Sequence, residues 1–357
     1  MGTQDTARIG STLMSSETSR RTFLKIAAAT PALGTFAPTL GRAAAANMLK
    51  ISHQFPGGTI DEGDFRDRLC RKFAAQLEKA TNGALGGEVY PNSSLVKTNA
   101  QFSAMRKGAL DMSLYPLSYA GGEVPEVNIG LMPCLVTSYA QGKAWKTAPV
   151  GKKLVEILQG KGIVVVSWIW QAGGLASRAN QIVGPDEAKG MKIRGGSREM
   201  DMMFKAAGAS VLSIPSNEGY AAMQTGSADA VVTSSTSLIS FRMEEVAKHL
   251  TSAGERSYWF MFEPLLMSKS VFDALPKPQQ DAIMGIGAEL EAFGYAGAAA
   301  DDTEVVKVFE KKGAAVHQLD AASLDKWRDI AKATAWKDFN DKSASCAEIL
   351  KLAEAVA

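Results

Sequence analysis

The chain has 357 residues, 46% of them hydrophobic and 21% charged, with 33 Gly, 13 Pro, three Cys, three His and a formal net charge of +2. This is a globular composition, which excludes disordered, collagen-like and disulfide-scaffold classes, and the length accommodates two domains. No uncharged apolar run reaches the roughly 18 residues of a spanning helix, so no transmembrane helix is expected in the mature protein.

Ser19-Arg20-Arg21-Thr22-Phe23-Leu24-Lys25 is a twin-arginine signature, followed by a mildly apolar stretch, Ile26 to Leu40, and the run Ala43-Ala44-Ala45-Ala46. A charged start, a weak apolar region and a small-residue cleavage box make residues 1–46 a Tat export signal, cleaved near Ala46, and place the mature protein in the periplasm. The first 46 residues carry five basic and two acidic side chains, so the mature chain stands at −1. Nothing in that balance supports a nucleic-acid surface. Cys70, Cys134 and Cys346 form no CxxC; spacing permits one disulfide without choosing it, and buried structural thiols are the expected state.

Leu49 to Ser52 alternates as a strand does, and after Pro56-Gly57-Gly58 a helix follows with Phe65, Leu69, Phe73 and Leu77 on one face. Asp61 or Asp64 caps its start and Asn82-Gly83 stops it. A strand at 88–91, a helix at 99–107, a strand at 110–115 and a helix at 152–159 come next. The run Ile163 to Ile169, apolar on both faces, reads as a strand buried under helices. A second set begins near residue 173: a strand over Met191–Arg194, a turn at Gly195-Gly196, Ser197 capping a helix over 198–207, a strand at 209–214, a helix at 217–225 and a strand at 228–232. Trp259 to Met267 is extended, and 279–312 and 324–350 are helical. Two alternating groups of similar size give the α/β class with mainly parallel sheets.

Enzyme signatures are missing. There is no HExxH, GxSxG or P-loop; Gly142-Lys143 and Gly160-Lys161 lack its other residues, and Ser94-Leu95-Val96-Lys97 matches S-x-x-K without its companion motifs. His53, His249 and His317 have no metal-ligand spacing, although His53 follows a strand and is placed to line a cleft. Glu199 and Asp201 sit at a helix start, where the dipole accounts for them. No cofactor motif is present.

Three blocks carry more information: Gly190-Met191-Lys192-Ile193-Arg194, then Phe204-Lys205-Ala206-Ala207-Gly208-Ala209, then Glu218-Gly219-Tyr220-Ala221-Ala222-Met223-Gln224-Thr225-Gly226-Ser227-Ala228-Asp229. With Val89-Tyr90-Pro91-Asn92, Gly108-Ala109-Leu110-Asp111-Met112 and Phe272-Asp273-Ala274-Leu275-Pro276, the chain from about Leu49 to Ala300 resembles the solute-binding components of tripartite ATP-independent periplasmic (TRAP) transporters, the DctP family. The resemblance implies a two-lobed periplasmic binding protein of the type II kind, each lobe a sheet flanked by helices, with a long interlobe helix. The lobes are expected at 47–172 plus 259–298 and at 173–258 plus 299–357. It also implies capture of a small organic anion by hinge closure, delivery to small and large permease subunits, and no catalysis. The partners are then the anion, the permease and the Tat machinery.

Arg194 ends a strand at the edge where open α/β sheets bind ligands, and a guanidinium meets a carboxylate bidentately. Gly195-Gly196 allow close backbone approach and Ser197 opens a helix, where anions are stabilised. An Arg so placed serves either a ligand anion or a carboxylate of the opposite lobe; the resemblance favours the ligand. It also points to Gln54 and Tyr115 at first-lobe strand tips, Trp170 and Gln171 at the crossing, and Ser216 and Thr233 in the second lobe.

The departures from the family pattern bear on the ligand. Val231-Val232-Thr233-Ser234-Ser235-Thr236-Ser237 replaces the usual Gln-Glu-Asn-Pro, and a second arginine expected near Leu175 is missing, with Arg178 as its substitute and Arg198 as a further nearby cation. These changes speak against sialic acid and simple dicarboxylates and for a monoanion: an aromatic one, given Trp168, Trp170, Trp259 and Tyr115, or a sulfonate held by hydroxyls. The rival functions are a Tat-exported enzyme on a two-lobe scaffold and a binding protein serving a sensor or an ATP-driven (ABC) importer.

Overall fold

A computed structural model of the chain describes residues 47–254 and 256–356, so the twin-arginine segment and the expected cleavage point lie outside the described residues. Five strands occur before residue 178: β1 (Asn47–Ser52), β2 (Leu85–Tyr90), β3 (Met112–Leu114), β4 (Ile163–Val165) and β5 (Trp170–Ser177). Then come β6 (Lys192–Arg194), β7 (Ser210–Val211), β8 (Ala230–Ser234), β9 (His249–Ser252), β10 (Phe260–Phe262), β11 (Leu265–Ser268) and β12 (Ala315–Gln318). Among the described residues they form two sheets, ordered β2-β1-β3-β11-β4 and β12-β9-β5-β8-β6-β7, with β10 paired to the first half of β5.

The sheets are mixed where mainly parallel ones were expected. β1 is parallel to β2 and β3, but β11 is antiparallel to β3 and β4. In the second sheet β6 is parallel to β7 and β8, whereas β5 is antiparallel to β8, β9 and β10. The physical reason is the double crossing between lobes. β5 carries the chain from the first sheet to the second and β10–β11 bring it back, so each sheet receives a strand running against its neighbours. The Ile163–Ile169 run forms only β4, at a sheet edge, buried because the helix Pro149–Gly160 covers it. Strands β9 and β12 were not expected.

Local signals explain most helices. Asp64 Oδ1 accepts from the Arg66 backbone N–H at 2.9 Å to cap Phe65–Ala80, and Asn82 (φ 50°) and Gly83 (φ 78°) end it in the left-handed region. Leu69, Phe73 and Leu77 are fully buried, each side chain contributing about 1.5–3 kcal/mol. The 279–312 tract breaks at Leu290 into Lys277–Glu289 and Glu291–Lys311. The second of these is the long interlobe helix: it packs on Phe65–Ala80 beside the first sheet and on β5, β9 and β12 in the second. At the C-terminus Ala321–Ala331 packs on Arg198–Ala206, while Ala344–Glu354 packs on Pro149–Gly160. Between them Lys332–Trp336 is a π turn, from which Trp336 Nε1 donates to Pro133 O at 2.9 Å. All three cysteines are buried free thiols.

Gly297 lets the long helix approach Phe65: a Cβ there would stand 2.7 Å from the ring's Cγ. Gly297→Val is therefore expected to lose about 1–3 kcal/mol of stability by overpacking, despite its better helix propensity. Thermal and urea unfolding of the variant check this.

Candidate functional site

Arg194 is the last residue of β6, beside β8, and its guanidinium is 1 % exposed. Nε donates to Ile214 O at 2.9 Å, Nη1 to Val232 O at 2.8 Å and Nη2 to Tyr119 Oη at 2.6 Å. Among the described residues no carboxylate lies within ion-pair distance of it, so the cross-lobe acid partner left open by the sequence is not formed. A guanidinium has five N–H groups. The three bonds leave two, one on each terminal nitrogen, so both terminal nitrogens retain a donor for a further acceptor.

Tyr119 comes from the first lobe, in the turn Leu117–Ala120 that follows β3. Its oxygen also accepts from the Ser216 backbone N–H at 3.0 Å, so one phenol ties the first lobe to two second-lobe segments. Ser118 Oγ donates to Gly196 O at 3.3 Å and Ser197 Oγ to Leu131 O at 3.3 Å, extending the seam. Ser197 also caps its helix, accepting from Met200 N at 3.1 Å. Gly196 has φ 97°, and a Cβ on it would lie 3.0 Å from Arg194 Nη1 and 3.5 Å from Trp259 Nε1. The glycine thus leaves room where two donors meet.

Around this point are buried polar groups without protein partners: Trp259 Nε1, Tyr115 Oη and both amide atoms of Gln54. Tyr115 packs edge-on to Tyr119 with ring centroids 6.1 Å apart. Burial pushes its hydroxyl up, so it stays a neutral donor and acceptor. Ser52 and Ser113 are paired, so Gln54 and Tyr115, two residues on, leave neighbouring parallel strands side by side. A cavity of 580 Å³ is lined by Tyr119 and Gly196 with Ser197, Asp201, Lys205 and Ser213 among others; Arg194 itself does not line it, but its partners Tyr119 and Ile214 do.

The remaining expected residues fall elsewhere or in supporting positions. Thr233 is buried in β8 next to Val232, whose carbonyl holds Arg194. Arg198 lines the outer cavity but is paired with Asp338 at 2.6 Å. Arg178 does not substitute for the missing arginine: its backbone bonds Asp229 O at the start of β8, and it lines a separate surface pocket with Lys248. Trp170 packs with Trp145 and Phe262, and Trp168 with Phe262, in the hydrophobic core. Gln171 donates to Glu263, away from Arg194. Ser234 and Ser237 of the hydroxyl run bond Arg66. His53 does not line the cleft but is buried, 3.1 Å from Asp67. Sequence reasoning missed Tyr119 and the Trp259 N–H; the signal present was Tyr115 and Tyr119 spaced four apart after a strand, around Pro116.

Glu199 exceeds its helix-dipole explanation. It is fully buried, accepts from Asn128 Nδ2 at 2.9 Å across the same seam, and its other oxygen has no partner. Burial pushes its carboxyl up to about 7, against the pull of Arg198.

Residues 61–342 match the family described as bacterial extracellular solute-binding protein, family 7. A solute-binding protein of Albidiferax ferrireducens is 64% identical over 308 residues, covering 86% of this chain and 91% of that protein. A crystal structure of a TRAP periplasmic solute-binding protein from Rhodoferax ferrireducens with bound malonate superposes with a TM-score of 0.85 at 65% identity, covering 86% of this chain and 97% of the other. A Shewanella oneidensis TRAP solute-binding protein with bound succinate shares the fold, with a TM-score of 0.77 at 22% identity and coverage of 87% and 99%.

Glu199 gives the seam a pH dependence. Its folded value lies above that of an exposed glutamate, so the stability belonging to the protonated form is complete below about pH 4.5 and is lost as pH rises through about 7. Glu199→Gln is expected to raise the melting temperature at pH 8 and to leave it nearly unchanged at pH 4.5, measured by calorimetry across that range.

Proposed function

Since the chain belongs to the DctP family of solute-binding proteins, the extracytoplasmic components that serve TRAP transporters, we propose that it captures a short organic acid between its lobes with Arg194 as the anchor. The observation that carries this is the buried guanidinium whose partners are all neutral oxygens and whose two spare N–H groups point one from each terminal nitrogen. A carboxylate there gains charge-assisted bonds in a site screened from water, where such bonds are strong. Tyr115, Gln54 and the Trp259 N–H then meet the rest of the ligand. They are neutral, the phenol and the amide able to donate and accept and the indole N–H only to donate, so they suit a hydroxyl, a carbonyl or a second carboxylate held without a second cation.

Malonate in the 65% identical relative supports a compact acid of this kind. The sulfonate reading loses its basis, because Ser234 and Ser237 serve Arg66; the aromatic reading keeps only Tyr115 and Trp259, since Trp168 and Trp170 belong to the core; and malonate, a dicarboxylate, runs against the expectation of a monoanion. Lobe boundaries at 47–172 plus 259–298 and 173–258 plus 299–357 suit the two sheets, with the final helix, 344–354, reaching back to the first lobe. Closure is a population shift driven by the ligand's greater affinity for the form in which Tyr119 meets Arg194. The protein releases its ligand unaltered to small and large permease subunits, after Tat export and cleavage near Ala46.

Calorimetry with malonate tests the anchor. Arg194→Ala is expected to cost about 2–5 kcal/mol of binding, as for truncation of one partner of a buried charge pair. Arg194→Lys keeps the charge, loses the fork and is expected to weaken binding as well. Unchanged affinity in the alanine variant removes Arg194 from the role.

A further inference from the structure

A second arginine is buried as deeply as Arg194. Arg66 stands in the first turn of Phe65–Ala80, on the first-lobe side, and is 1 % exposed. Its Nε and Nη2 meet Asp64 at 2.9 and 2.7 Å, and its guanidinium carbon lies 3.6 Å above the Phe55 ring. Three of the remaining bonds leave the lobe. Nη1 donates to Ser237 Oγ at 3.0 Å and Ser234 Oγ at 3.3 Å, and Nη2 to Ser240 Oγ at 3.4 Å. Those serines belong to the end of β8 and the helix Ser235–Ser240, whose Leu238 is buried among second-lobe residues such as Val231 and Leu250. Nη1 also lies 3.4 Å from Glu263 Oε2, an oxygen that accepts from Gln171 as well. Gln171 is on β5, and Glu263 joins β10 to β11, so both crossing segments of the hinge meet at this one cation.

We infer that Arg66 is a positioning residue for closure: with Ser234, Ser237 and Ser240 it forms a ligand-independent latch between the lobes, which sets ligand affinity without touching the ligand. This gives the hydroxyl-rich run a role. A buried guanidinium must have its N–H groups satisfied, and the second lobe supplies those acceptors only when it sits against the first. Opening the lobes exchanges three hydroxyl acceptors for water. The contact therefore contributes to the closed form whatever acid Arg194 holds, and this depends on the proposed function only where binding is read out.

Ser237→Ala removes the shortest of the bonds from Arg66 to the second lobe and leaves the Asp64 pair and the Ser234 cap in place. Arg66→Lys keeps the charge beside Asp64 but lacks the fork needed to reach three hydroxyls. Spin labels on the two lobes report the distance distribution of each variant without ligand, and calorimetry gives affinity for malonate and succinate. Both variants are expected to shift the distribution toward longer distances. Affinity is expected to fall about tenfold, by the same factor for each acid, from the loss of a hydrogen bond to a charged group. Unchanged distributions with unchanged affinities overturn the latch, and a changed malonate-to-succinate ratio overturns it too, by placing Ser237 at the ligand. Failure of the unaltered protein to bind either acid counts against the proposed ligand class, while the distance measurement still decides the latch.

Discussion

The cation at the end of β6 is the constraint on which the rest of the architecture depends. Sequestering a guanidinium from water is costly unless its N–H groups find acceptors. Here the acceptors are two backbone carbonyls of its own lobe and one phenol oxygen of the other. The surrounding features follow from that need. Gly196 clears the space in front of the fork, Ser197 starts the next helix without adding bulk, and the short turn after β3 brings Tyr119 within reach. Neutral oxygens satisfy geometry without cancelling charge, so the field of the cation remains available to an anion. An acid at the same place would stabilise the empty protein and oppose binding.

The crossing strands make this arrangement possible. Because β5 passes from one sheet to the other and β10–β11 return, both sheets are rooted in the same short hinge. Gln54 and Tyr115 leave the first sheet at its strand ends, and Arg194 leaves the second. Strand ends and their turns carry side chains that need not pack, whereas mid-strand residues such as Trp170 are committed to the core.

Much of this was legible in the residues. Apolar periodicity located the helix at 65–80, Ser197 and Asp64 announced their caps, and Arg194 falls at the strand end where the sequence put it. What escaped were features decided by partners distant in sequence. β9 and β12 are short, half-polar strands, defined by pairing His249 with Ala315 and not by any strong local pattern. The reversed strands cannot be read from alternation, since period two is the same in either direction. Trp170 and Gln171 were placed correctly at the crossing, yet which side of it they face depends on Trp145 and Glu263, far away in the chain. Glu199 is similar: a carboxylate at a helix start is ordinary, and only Asn128, 71 residues away, makes it part of an interface.

The two buried arginines show how one side chain serves opposite ends. Arg66 is neutralised within the chain: Asp64 takes it bidentately, Glu263 lies near, and hydroxyls complete its shell. Burial and this carboxylate pressure act on Glu263 as well, whose carboxyl is pushed up to about 7 despite the cation beside it. The ensemble is internally balanced, so an added anion gains nothing there. Arg194 has the same burial and a comparable number of bonds, but among the described residues no acid is bonded to it, and only the field of the buried Asp201 reaches it. The difference lies in the bonded partners, carboxylate for one and carbonyl or phenol for the other. Exchanging their partner sets would move the cation without a bonded carboxylate from the end of β6 to the hinge.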